Sequence, residues 1–201
     1  MRYLATIFAL CITGLVFAQG FGGVSGVGGK AGFGGGASGG GGATSNCGQT
    51  SQTGTDSNNG QIAIATPCAS GANANGYSVG TIFYWVGSPA SAVFDLGVYS
   101  NVAGAPNSLL CHSNTGTITP SAGWNSIAIT GCGTVAANTT IWIGYITSIN
   151  PIQQGYVTGS NCGGTGAITA FDGGGDIGLP ATFSVAGSSN CYSFYAVLTA
   201  L

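Results

Sequence analysis

The chain is 201 residues long with 39 glycines, and it is almost free of charge: Arg2, Lys30, four aspartates and no glutamate, for a net charge of −2. Nucleic acid requires clustered cations that displace counterions, and an anionic lipid surface requires a polybasic patch, so neither is a credible partner. No Lys or Arg occurs from Ala31 to Leu201. Stability there must rest on apolar burial, backbone hydrogen bonds and disulfides, and acid is expected to matter little.

The N-terminal stretch "MRYLATIFALCITGLVFAQG" places Arg2 ahead of an apolar run that ends in Val16-Phe17-Ala18. This pattern predicts a secretory signal peptide over 1–18, cleaved after Ala18. The run is shorter than the roughly 20 residues that span a bilayer, and no cationic stop follows, so no membrane insertion is expected after cleavage. Residues 19–43 are dominated by glycine, with 14 glycines among the 24 residues from Gly20 to Ala43. Such a segment has too little side chain to offset the backbone entropy lost on ordering, and it predicts a flexible tether. Phe21, Val24, Val27 and Phe33 could alternatively dock on a neighbouring subunit as an added strand.

Cleavage removes Cys11 and leaves Cys47, Cys68, Cys111, Cys132, Cys162 and Cys191. An even number in an exported chain predicts a disulfide framework. Six cysteines leave many connectivities open, and the gaps favour sequence neighbours: Cys47 with Cys68, Cys111 with Cys132, Cys162 with Cys191. No C-x-x-C spacing is present and His112 is the only histidine, which argues against zinc.

The remaining segment, 44–201, reads as one β domain of about ten short strands by its alternation and turn clusters. In chain order the candidates are "QIAIAT", "TIFYWVG", "VFDLGVYS", "SLLCHS", "NSIAIT", "TIWIGYIT", "QGYVT", "AITAF", "ATFSV" and "CYSFYAVLT". In "VFDLGVYS" the period of two puts Phe94, Leu96 and Val98 on one face and Asp95, Gly97 and Tyr99 on the other. Asn101 to Asn107 then reads as a loop at the end of a sandwich. Trp124 and Trp142 are expected to fill the core. No sustained helical stripe occurs after the signal, so the fold class is an all-β sandwich of jelly-roll type.

From Gly80 to Thr147, "DLGVYSNVAGAPNSLL", "SAGWNSIAI" and "TVAANTTIWIGYIT" follow one another in an order that resembles a jelly-roll domain of secreted bacterial surface and carbohydrate-associated proteins. The resemblance implies a fold and an extracellular setting, with no activity attached. It departs from the pattern at Asn138, where glycine is usual.

Two constellations bear on chemistry. Gly76-Tyr77-Ser78-Val79-Gly80 matches the nucleophile-elbow pattern, with Asp95 and His112 following in the order of an α/β-hydrolase triad. An elbow needs a strand and then a helix, and Ser78 leads straight into "TIFYWV". The same pattern also arises by composition at Gly36 to Gly40, so no catalytic residue is assigned and His112 is expected to face solvent from a strand. Asp172 and Asp176, separated by three glycines, supply hard oxygens that suit calcium, although two carboxylates fall short of the about six to eight oxygens that calcium prefers. No other cofactor is expected. Two functions remain: a non-catalytic structural or self-assembling protein of an extracellular filament, matrix or surface layer, which partners its own copies or surface components, or a glycan-binding module. Tyr99 is the candidate exposed tyrosine for the second.

Overall fold

The computed structural model describes residues 42–57, 62–113, 117–148, 152–158, 169–172, 178–183, 187–188 and 190–201. The predicted signal peptide, the glycine tract and its residues Phe21, Val24, Val27 and Phe33 lie outside the described residues. No helix among the described residues is long and apolar enough to cross a membrane.

Among the described residues, fourteen strands follow in chain order. They are β1 (Thr44–Gly48), β2 (Gly54–Ser57), β3 (Ala63–Ala69), β4 (Tyr77–Val86), β5 (Ala92–Val102), β6 (Ala105–His112) and β7 (Thr117–Ile118). The second half supplies β8 (Gly123–Ala128), β9 (Thr140–Thr147), β10 (Gln153–Thr158), β11 (Thr169–Asp172), β12 (Gly187–Ser188), β13 (Asn190–Tyr192) and β14 (Phe194–Ala200). They form two sheets, and every described pairing is antiparallel. The first runs β1-β14-β4-β10-β13, with β2 on β10 and β8 on β4; the second runs β12-β11-β3-β9-β5-β6, with β7 on β5. The all-β class is therefore observed.

The main core lies between the sheets. The first sheet contributes Ile82, Tyr84 and Val86 from β4 and Phe194, Ala196 and Leu198 from β14. The second contributes Phe94, Leu96 and Val98 from β5 and Ile143 and Tyr145 from β9. These are alternate residues along each strand, because the pleat sends every second side chain to the same face. Each such large side chain contributes about 1.5–3 kcal/mol by leaving water.

Two predicted disulfides are present, Cys47–Cys68 and Cys111–Cys132, with Cα atoms 5.2 and 4.6 Å apart. Cys191 is also disulfide-bonded, while Cys162 lies outside the described residues. Cys47 is on β1 and Cys68 on β3, so this bridge ties the two sheets together; Cys111 on β6 reaches Cys132 just beyond β8, which does the same at another place. Converting both Cys111 and Cys132 to serine is expected to cost about 3 kcal/mol of unfolding free energy in denaturant titration. An unchanged midpoint would show that the sheets hold without this staple.

The predicted loop from Asn101 to Asn107 is instead a tight hairpin. β5 continues to Val102 and β6 begins at Ala105, leaving only Ala103 and Gly104 between them. Both have positive φ, 51° and 81°, the two-residue turn whose twist matches that of its flanking strands. Asn138 also lies at positive φ, 52°, a conformation natural to glycine and tolerated by asparagine, which accounts for the departure noted at this position.

Candidate functional site

Strand β5 is buried on both faces, which its alternation did not indicate. The face carrying Asp95, Gly97 and Tyr99 is covered by segment 178–183. Leu179 joins Ala63, Ala65, Tyr99, Trp142 and Ile146 in a second apolar cluster, with Leu109 and Phe183 packed against it. Paired glycines make the room: Gly97 lies opposite Gly144 on β9. A Cβ on Gly144 would come within 2.6 Å of the Tyr99 ring, and one on Gly97 within 2.7 Å of Leu179. The Tyr99 hydroxyl donates to the Pro180 carbonyl at 2.7 Å, and its ring meets Phe183 edge-on at 4.6 Å. Tyr99 is thus fully buried and is no surface residue for a ligand, contrary to the expectation from sequence.

Asp95 ties this covering segment down. Its carboxylate is 3 % exposed and accepts from the Leu179 backbone N–H at 3.0 Å and from Ser113 Oγ at 3.2 Å, and it meets His112 Nδ1 at 2.9 Å. A buried carboxylate persists only with such partners. His112 does face solvent, with its side chain 40 % exposed, but it does so as the outer half of a pair with Asp95. Asp56, on the first sheet, likewise has a partner and accepts from the Tyr192 hydroxyl at 2.8 Å.

The elbow motif has no elbow geometry. Ser78 sits within β4 of the first sheet and its hydroxyl donates to the Thr199 carbonyl at 3.4 Å, whereas Asp95 and His112 belong to the second sheet. Asp172 ends β11; its side chain and the whole of Asp176 lie outside the described residues, and so does the calcium site they suggested.

The two tryptophans part company. Trp142 is 2 % exposed in the second cluster, and its indole N–H donates to Asn101 Oδ1 at 2.9 Å. Trp124 is 38 % exposed on the solvent face of the first sheet, outside both core clusters. It lies opposite Trp85 across β8 and β4, and its ring meets Tyr195 at 5.1 Å. Tyr195 in turn stacks on Phe83 at 4.7 Å with ring planes 2° apart. Phe83, Trp85 and Tyr195 are half-buried. A Cβ on Gly87 or Gly155 would come within 2.9 Å of the Trp85 indole, so glycine at both places seats its benzo ring against the backbone. These four rings form an aromatic patch on the solvent face of the first sheet. The period of two in "TIFYWV" contained the signal for it, since Phe83 and Trp85 alternate with the buried Ile82, Tyr84 and Val86. The strand reads as uniformly apolar, which hid that alternation.

No family model matches the chain, and neither a curated protein nor a solved structure does.

Proposed function

We propose that the chain is exported and serves outside the cell as a non-catalytic structural subunit of a filament, matrix or surface layer, built on a jelly-roll type of sandwich and associating with its own copies or with surface components. The sheet-to-sheet disulfides support an oxidising setting. The observation that carries the association is the edge of the first sheet. Among the described residues β8 pairs with β4 alone, and β1 with β14 alone. Their sequences, GWNSIA and TSNCG, contain no charge and no proline. Such edges leave backbone donors and acceptors open, and proteins that stay monomeric usually guard them with lysine or proline. Low net charge removes the other defence against association. Sedimentation velocity of the mature chain at high micromolar concentration should show oligomers, with filaments or sheets by electron microscopy; a monomer throughout would defeat the proposal.

A second reading, a glycan-binding module, is favoured by the four rings on the solvent face, since flat apolar rings beside amides and hydroxyls suit the mixed polar and apolar surface of a sugar.

A further inference from the structure

We propose that the outer face of the first sheet, centred on Trp124 and Trp85, is the binding site for a neutral polysaccharide; this rests on the second reading above and gives it a place and a ligand class.

The ring arrangement is preorganised. Trp85 is held against Gly87 and Gly155 and cannot turn away without losing its seat. Trp124 faces it in register from the adjacent strand and is braced by Tyr195, which is itself fixed by stacking on Phe83. Rings locked before binding lose little freedom when a ligand arrives. Polar side chains adjoin them. The imaginary Cβ on Gly87 that meets Trp85 also meets Gln153 Oε1 at 3.0 Å and Thr55 at 3.2 Å, while the one on Gly155 meets Gln52 at 2.7 Å. Exposed Ser126 lies opposite Phe83. Amides and hydroxyls around an indole offer donors and acceptors to sugar hydroxyls at the rim while the ring takes the apolar face.

Charge selects the class. The only charged residue in the described strands of this sheet is Asp56, and its carboxylate is engaged by the hydroxyl of the buried Tyr192. An acidic or basic ligand would give up its hydration here for no opposite charge. Extent argues against a second copy as the occupant. Among the described residues Trp124 is the only exposed large apolar side chain of this face, whereas a stable protein interface buries about 1,200–2,000 Å² in total. A few sugar rings need far less.

The test is co-sedimentation of the mature protein with insoluble cellulose and chitin as neutral polymers and with cross-linked alginate as an acidic one. It compares the wild type with Trp124→Ala, Trp124→Tyr and Trp85→Ala, each first shown to melt as the wild type does. The expected result is binding to a neutral polymer, weakened about tenfold by Trp124→Ala and largely restored by Trp124→Tyr. Trp85→Ala should weaken it as well. Neutral binding untouched by all three variants would overturn the site while leaving the glycan reading standing. Preference for alginate would overturn the ligand class. Binding to none of the polymers would overturn the site and the glycan reading together. A change in oligomer size with Trp124→Ala, without any change in polymer binding, would assign this face to contact between copies and overturn the proposal.

Discussion

Replacing Asp95 with alanine is expected to lower the melting temperature by roughly 10 °C. Leaving the partners of a buried carboxylate acceptor unsatisfied costs about 3 kcal/mol, and a domain of this size shifts by about 2–4 °C for each kcal/mol. Asp95 is 3 % exposed, and the Leu179 N–H that it satisfies is itself buried, so its loss strands a donor as well as opening a space. The consequence extends beyond one contact, because Leu179 anchors the segment that covers Tyr99 and Trp142. His112→Gln should cost about 1 kcal/mol or less, since that half of the pair is 40 % exposed and water screens it. Differential scanning calorimetry of both variants separates the two effects. A melting point for Asp95→Ala within 2 or so degrees of the wild type, by the same scaling, would mean that the covering segment is held by something else.

Alkali should unfold the domain cooperatively above pH 10. Burial pushes the Tyr84 hydroxyl up from 10.0 to about 12. Burial also raises Tyr145, and it raises Tyr192 with a further upward push from the Asp56 carboxylate beside its hydroxyl. Below pH 10 these tyrosines are neutral in both the folded and the unfolded chain, so the stability they support is fully present. As pH rises past the unfolded value, the unfolded chain sheds protons that the folded chain keeps, and stability falls until the folded groups ionise too. Tyr84, Tyr145 and Phe194 pack together in the centre of the sandwich, with Tyr145 5.0 Å from Phe194 and 6.1 Å from Tyr84, so ionisation there cannot be absorbed at the surface. A pH titration should show the last of the tyrosinate absorbance rising together with loss of near-ultraviolet circular dichroism. Full ionisation with the dichroism intact would contradict the burial of Tyr84, Tyr145 and Tyr192.

Much of the sandwich was legible because its strands are local patterns. "TIWIGYIT" coincides with β9, and "VFDLGVYS" and "TIFYWV" lie inside β5 and β4. Two bridges join the sequence neighbours that the gaps between the cysteines favoured. What escaped was set by partners distant in sequence. Asp95 and Tyr99 alternate with apolar residues as solvent-facing positions do, but a segment 84 residues further along covers them. Only the end of that segment, Ala181 to Phe183, falls in the candidate strand "ATFSV", and Thr182 there makes an isolated bridge to Ser108. Trp124 and Trp142 look alike in one dimension. One lies on an edge strand whose outer face nothing described covers, and the other lies on a central strand capped from outside, so topology separates them where composition could not.

Association through the charge-free edge of the first sheet can be tested directly by restoring charge to it. Ser126 and Ala128 are exposed on β8, and lysine at both places restores the guard that this edge lacks. Sedimentation velocity of the mature chain and of the Ser126→Lys, Ala128→Lys double variant, at equal concentration and with equal melting points, should show oligomers for the first and a monomer for the second. Oligomers of the same size from both would contradict association through this edge.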